Sequence, residues 1–479
     1  MFRTFIRISL LTGILLAAIS GLWAADDPFA SILGDWQGSL NVGPKTLLIV
    51  LHVTKGADGK LAGTLDSPDQ GAGGLLIDSV VFTDGTLDFT INAVRGHFIG
   101  SLSDDGKMLE GQWTQGGENH PLSFKRAKDI AAERPQAPKK PYPYNEEEVT
   151  FKNEKAKITF AGTLTWPKNT APCPAVLLIP GNEPQDRNET MFGHQPFLVL
   201  ADYLTRRGFA VLRVDDRGVG GSTGDKTKAT IEDMAADILS GIAYLKTRKE
   251  INPAKVGLLC RGGGGFATIS AAQDNAVAFV ILLACPALPG DEVAVQQVEL
   301  SMKAKGVPQE AIAEQTKMLK RIFGIVKNAK DTADAEKQLW GIVDEQLAQI
   351  PEANRPKRAD IEPMVKQQFA PLLSPTMHSL LNYDPIPSLK KMTMPVLALI
   401  GEKDTEMSPK QNLANLEKAV KDGGNKDVTA LQIPNLNHLL QRCTSGASDE
   451  YSRLDETFSP IAMQIIGDWI SEHIAQAKK

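Results

Sequence analysis

Asp404 and His438 are the residues of this chain whose types and order best suit acid–base chemistry. Each stands just past an expected strand: Asp404 after Val396–Ile400, in Gly401-Glu402-Lys403-Asp404, and His438 after Leu431-Gln432-Ile433-Pro434, in Asn435-Leu436-Asn437-His438. Singly, Asp404 reads as a helix N-cap ahead of Ser408-Pro409 and His438 as a loop histidine. Jointly, a carboxylate followed later in the chain by the imidazole it orients is the order of a hydrolytic charge pair. Such a pair works on a nucleophile raised on a tight strand-to-helix turn of the form Gly-x-Ser-x-Gly. Here Lys255-Val256-Gly257-Leu258-Leu259 leads into Cys260-Arg261-Gly262-Gly263-Gly264-Gly265 and a helix opening at Phe266. In that register Cys260 falls on the first glycine, Gly262 on the serine and Gly264 on the second glycine. The attacking position has no side chain.

Glycine tolerates the positive φ that the turn requires, so the conformation is expected to survive the loss of the chemistry. Removing the nucleophile of such a triad costs on the order of 10⁶ in turnover and leaves only ~10³ to 10⁴ over water. What remains is His438 as a general base for water, oriented by Asp404, with the backbone N–H groups of Asn182 and Gly263 as oxyanion donors. Substitute nucleophiles are weak. Cys260 reads as a small buried hydrophobe and Ser222 as the cap of a turn. Cys285 ends the next apolar run, where it could neighbour Cys260 and form a bridge, or join His438 and Asp404 around a metal. No close-spaced ligand pair announces a metal, so the reading is free thiols, no metal and no cofactor. The glycine run is followed by Phe266-Ala267-Thr268 rather than the Lys-Ser/Thr of a phosphate loop, which argues against nucleotide.

These residues need a frame, and 479 residues allow two or three cored units. With 52 Lys and Arg against 57 Asp and Glu the chain has no phosphate-neutralising excess, so nucleic acid is excluded as a partner. Residues 1–24 carry Arg3, Arg7 and an apolar run from Ile8 to Trp23, and read as a secretory signal peptide cut near Ala24; the other reading is an uncleaved anchor, the chain's one route to a membrane. Export to the periplasm or the exterior is the expected location. Residues 28–126 show short alternating segments broken by Asp84-Gly85 and similar turns, as in a small antiparallel β barrel or sandwich, with Trp36 and Trp113 in two variants of one phrase. Residues 127–147, with Pro135, Pro138, Pro141 and Pro143, read as a semi-rigid linker. From 148 to 479 continuously apolar runs of four to six residues alternate with helical stretches, the rhythm of a mostly parallel, doubly wound α/β sheet. A helical cap is expected as an insertion at about 291–389.

With Asp215-Asp216-Arg217-Gly218-Val219-Gly220-Gly221-Ser222, Pro184-Gln185-Asp186-Arg187, Gly401-Glu402-Lys403-Asp404 and Asn437-His438 in place, residues 145–476 resemble an α/β-hydrolase of the exported bacterial esterase and serine-aminopeptidase type. The leading β domain of such proteins resembles residues 28–126. The resemblance implies descent from carboxylesterases or peptidases and a small-molecule ester, acyl or peptide-like ligand. Gly262 departs from it. Three functions follow: a binding protein that has lost covalent catalysis, an active ester hydrolase using another nucleophile or a His438-activated water, and a cell-envelope binding module acting through the β domain.

Overall fold

The computed structural model describes residues 29–476 apart from 30, 44, 56–60, 68–69, 71, 127–133, 169–171, 182, 353–354 and 449. The leader at 1–24, the start of the proline-rich stretch and Asn182 thus lie outside the described residues. Those described form two compact units, one holding the residues up to Arg134 and the other the bulk of those from Pro135 onward.

In the first unit, strands β1 (Gly34–Val42), β2 (Lys45–Lys55), β3 (Leu61–Ser67), β4 (Ala72–Leu76), β5 (Ser79–Thr83), β6 (Thr86–Ile91), β7 (Gly96–Leu102), β8 (Met108–Gln115) and β9 (Glu118–Arg126) form one sheet in the order β4-β3-β2-β1-β9-β8-β7-β6-β5. The pairing of β1 with β9 is antiparallel, like those of the hairpins, and rolls the sheet into a nearly closed barrel. Period-two patterning drives it: Leu87, Phe89 and Ile91 of β6 are buried while Thr86, Asp88 and Thr90 are not. Asp84 and Gly85 both take positive φ between β5 and β6, the conformation that matches a two-residue turn to strand twist. Trp36 and Trp113 sit in one core with Phe89, Phe98 and Phe124, and the Arg126 guanidinium lies 4.3 Å over the Trp36 ring.

The second unit holds an eight-stranded sheet: β10 (Asn145–Asn153), β11 (Ile158–Trp166), β12 (Cys173–Ile179), β13 (Ala210–Val214), β14 (Ile251–Arg261), β15 (Val280–Leu283), β16 (Val396–Gly401) and β17 (Val428–Ile433). Its order is β10-β11-β13-β12-β14-β15-β16-β17; β10 and β11 enter antiparallel and the rest run parallel. The central strands are buried along almost their whole length, which requires helices on both faces. Those helices are α1 (Pro196–Arg206), α2 (Ile231–Thr247), α3 (Gly265–Ala271) and, after the insertion, α10 (Pro409–Asp422) and α11 (Pro460–Gln476). Caps define their starts: Pro196 and Pro409 occupy first-turn positions, and Thr230 with Asp233 closes a capping box on α2. The insertion between β15 and β16 comprises α4 (Gly290–Ala304), α5 (Gln309–Asn328), α6 (Thr332–Ala348), α7 (Arg358–Leu372), α8 (Pro375–Asn382) and α9 (Ile386–Leu389).

The stretch expected to be a linker behaves differently in its described part. Gln136 bonds the backbone of Thr457 and Phe458, and buried Tyr144 donates to Asp202 at 2.9 Å. Strand β10 begins at Asn145, before the expected start, because its Glu146, Glu147 and Glu148 lie on an edge where charge is tolerated; Glu147 pairs with Arg248 at 2.6 Å. Sheet edges can carry sequences that look like loop.

Candidate active site

Beyond the carboxyl end of β14 the chain turns through a short 3₁₀ segment, Gly262–Gly264, into α3. Gly262 takes φ +55° and is buried. A Cβ built there would lie 3.5 Å from His438 Nε2 and 4.0 Å from Cε1, with no other heavy atom within 4 Å beyond its own chain neighbours. The space is therefore open toward the imidazole. Gly264 is glycine for a different reason: a Cβ there would come within 2.1 Å of the Pro180 carbonyl oxygen. Gly263 is half-buried between them and lines two cavities, of about 80 Å³ and about 20 Å³. The larger lies behind the turn, among Phe160, Leu177, Met234 and Ala267; the smaller lies among Phe266, Val293, Leu380 and Met407, beneath α4 and α8. Both fall well below the ~300 Å³ at which small-molecule pockets begin.

Two loops bring the acid and the base together. Asp404 follows β16 and His438 follows β17, and the loops are joined by Lys403 N–H donating to the Leu436 carbonyl at 2.9 Å. Gly401 permits that approach, since a Cβ would meet the Leu436 oxygen at 2.3 Å. Buried Asn437 and Gln441 clamp the second loop through side-chain and backbone bonds of 2.9 to 3.0 Å. Asp404 Oδ1 accepts the N–H groups of Glu406 and Met407 at 2.8 and 2.7 Å, so it does cap the following turn; its Oδ2 lies 2.9 Å from His438 Nδ1. Glu406 was not foreseen from sequence. Its Oε2 lies 3.8 Å from His438 Nε2, and buried Tyr451 donates its hydroxyl to Oε1 at 3.1 Å.

Burial lowers the affinity of His438 for a proton, but the Asp404 and Glu406 carboxylates and the hydrogen bond from Asp404 outweigh it, Arg261 opposing, and its pKa stands raised from 6.5 to about 9. The folded chain therefore holds this proton more tightly than the unfolded one. The resulting stability is complete below about pH 6.5 and is lost as pH rises through about 9.

Around the turn lies a second set of charges that spacing alone did not reveal. Arg261 is fully buried and donates from Nε to Glu189 Oε2 at 2.7 Å, while Glu189 Oε1 accepts Gly181 N–H at 3.2 Å. Glu189, itself at φ +55°, thereby ties the segment after β12 to the strand that feeds the turn. Lys226 does similar work, donating to the Gly181 and Glu183 carbonyls and to Asp216 at 2.6 to 3.1 Å. The two sequence motifs read separately lock to each other here, through Arg187 bonding Asp215 at 2.8 Å. Ser222 bonds the Asp215 carbonyl at 2.7 Å and accepts from Ala161, a turn-capping part.

Cys260 and Cys285 do meet across β14 and β15, with sulfurs 3.3 Å apart, but as free thiols. Burial, then the Cys260 neighbour, pushes the Cys285 thiol well up, away from the thiolate that a nucleophile requires. Iodoacetamide at pH 7.5 is expected to leave both unlabelled in the folded protein and to label both after unfolding. Rapid labelling of either in the native state would reopen a cysteine mechanism. Among the described residues no cluster of three or more His, Cys, Asp or Glu is arranged to hold a metal ion.

A family model described as serine aminopeptidase, S33, matches residues 195–339, a span that includes the glycine turn and ends before Asp404. Esterase EstD of Thermotoga maritima is 26% identical over 354 residues, 74% of this chain and 71% of its own length. The C-terminal unit has the α/β-hydrolase fold. Among solved structures, a hypothetical protein from Pseudomonas aeruginosa superposes with TM-score 0.44 at 18% identity, over 71% of this chain and 97% of its own. Est1E from Butyrivibrio proteoclasticus, solved with ferulic acid, gives TM-score 0.40 at 16% identity over 68% and 99%. In this hydrolase fold Gly262, Asp404 and His438 come together at the carboxyl edge of the parallel strands, where open α/β sheets place their ligands.

Proposed function

We propose that this α/β-hydrolase-fold chain, of esterase or peptidase-like descent, has lost covalent acyl transfer and holds a small ester, acyl or peptide-like ligand beneath its helical insertion. One observation carries the reading: a side chain on residue 262 would face the imidazole at 3.5 Å, and residue 262 has none. The name of the Thermotoga relative, an esterase, and the serine aminopeptidase family model support the descent. A proton held to about pH 9 speaks against the reading in which His438 takes a proton from water at neutral pH. Helix α8 of the insertion is fastened beside the turn, Ser379 accepting the Ile231 N–H at the start of α2 and Thr376 donating to the Ala229 carbonyl just before it.

The expected result with p-nitrophenyl esters at pH 7.5 is turnover no greater than the ~10³ to 10⁴ over water that binding and oxyanion donors alone provide. Turnover at an ordinary enzymatic rate, about 1 to 10³ s⁻¹, would overturn the proposal. Export belongs to the same reading, on the strength of residues 1–24. Intact mass of the chain recovered from a bacterial host is expected to begin near Ala25; a full-length soluble cytoplasmic product would count against it.

A further inference from the structure

We infer that Glu406 turns His438 from the base of a catalytic pair into a fixed cation, whose Nε2–H is a hydrogen-bond donor for the carbonyl oxygen of a neutral acyl ligand lying over Gly262. This rests on the proposed loss of the covalent step and adds to it a second departure from hydrolytic chemistry and the charge class of the ligand.

The geometry begins with a carboxylate on each ring nitrogen. Asp404 sits 2.9 Å from Nδ1 and Glu406 3.8 Å from Nε2, both from one turn of the loop after β16. Glu406 is not free to relax away from the ring. Its backbone N–H is held by Asp404 Oδ1 at 2.8 Å and its carboxylate accepts from Tyr451 at 3.1 Å. At 3.8 Å Glu406 attracts the imidazolium without taking a direct hydrogen bond from it. Among the described residues Nε2 has no other acceptor within bonding distance, so its N–H is available to a ligand. A Cβ built on residue 262 would meet no atom but those of the imidazole within 4 Å beyond its chain neighbours, Nε2 at 3.5 Å, so no other side chain stands between the turn and that nitrogen. A carbonyl oxygen accepting from Nε2 would stand ~2.9 Å from it, over the bare face of the turn.

Charge decides which acceptor. The groups facing His438 are Asp404 and Glu406 from the loop after β16 and Arg261 from the end of β14; behind them stand Glu189, which pairs with Arg261 at 2.7 Å, and the Tyr451 hydroxyl. Two carboxylates share one imidazolium, and the guanidinium is already matched. The net charge at the ligand's position is negative, and a carboxylate ligand meets repulsion that an ester, amide or ketone does not. The site is suited to intact neutral acyl compounds, not to the acids their hydrolysis would release.

The test reads the proton and the ligand separately. In the full chain, the His438 Cε1–H resonance, assigned by comparison with His438→Gln, is expected to titrate near pH 9, and to fall by about one pH unit or more in Glu406→Gln. The amide of that variant can still accept from Tyr451. A medium-chain methyl ketone, a carbonyl that cannot be hydrolysed, is expected to bind with constant affinity from pH 6 to 8 and to weaken above 9, and the fatty-acid anion of equal length to bind about tenfold or more weakly at pH 7. A wild-type midpoint below 7, or one unmoved by Glu406→Gln, overturns the fixed cation. Failure of the ketone to bind, or equal binding of the anion, overturns the donor role. Ester turnover by the wild-type chain would instead defeat the proposed function and leave the titration as it is.

Discussion

A Gly262→Ser variant is expected to gain esterase activity over the parent chain, with a ceiling of about 10⁶-fold, the factor lost when a triad nucleophile is removed. The space for the hydroxyl exists, because the nearest atoms to a Cβ there belong to the imidazole. The backbone charges something for it: φ +55° suits glycine, and a serine held there stores about 1 to 3 kcal/mol of strain. Melting is therefore expected to occur at a lower temperature, without loss of fold. The gain should depend steeply on pH. With His438 titrating near 9, roughly one imidazole in a hundred is unprotonated at pH 7 and half at pH 9, so turnover should rise about fiftyfold between pH 7 and pH 9 and level about one pH unit higher. Adding Glu406→Gln should move that limb toward neutrality. A pH–rate profile of p-nitrophenyl butyrate hydrolysis for the single and double variants checks both points, and a flat profile from pH 6 would contradict the electrostatics.

The second large effect concerns stability. Glu189→Ala leaves the Arg261 guanidinium buried beside the turn without its carboxylate and frees Gly181 N–H of its acceptor. Breaking a buried pair from one side costs about 3 to 5 kcal/mol, whereas replacing both partners with apolar groups is often near neutral. Chemical denaturation is expected to show that loss in Glu189→Ala and recovery of most of it in Glu189→Leu with Arg261→Met. If Glu189→Ala loses less than about 1 kcal/mol, the pair is better solvated than the structure implies.

Much of this architecture was legible in the chain. The apolar runs that became β12 to β16 are buried on both faces, a condition that excludes polar residues and leaves an unbroken signal. Gly262 and Asp404 each follow such a run, whereas His438 follows β17, an edge strand whose Thr429 and Gln432 interrupt the apolar signal. Strand β9 was harder, since Pro121 argues against a central strand; β1 pairs there only with residues from Phe124 onward, so the missing N–H of Pro121 meets no demand from that side. Strand β10 begins at Asn145, ahead of the start at 148 read from the sequence, because its acidic residues are those of an edge.

The charges around the site were the least visible. Glu406 is two residues from Asp404 in a loop rich in polar groups, and nothing in its spacing distinguishes it from a solvated carboxylate until the turn through Met407 aims it at the ring. Arg261 and Glu189 are 72 positions apart. Only the fold joins them.

The account depends most on the missing attack group, and a fluorophosphonate reagent with intact-mass detection tests it most directly. The wild-type chain is predicted to gain no mass after prolonged exposure at pH 9, while Gly262→Ser gains one phosphonyl group that maps to residue 262. A stoichiometric adduct on the wild-type chain would show that a competent nucleophile is present after all, and would contradict the account.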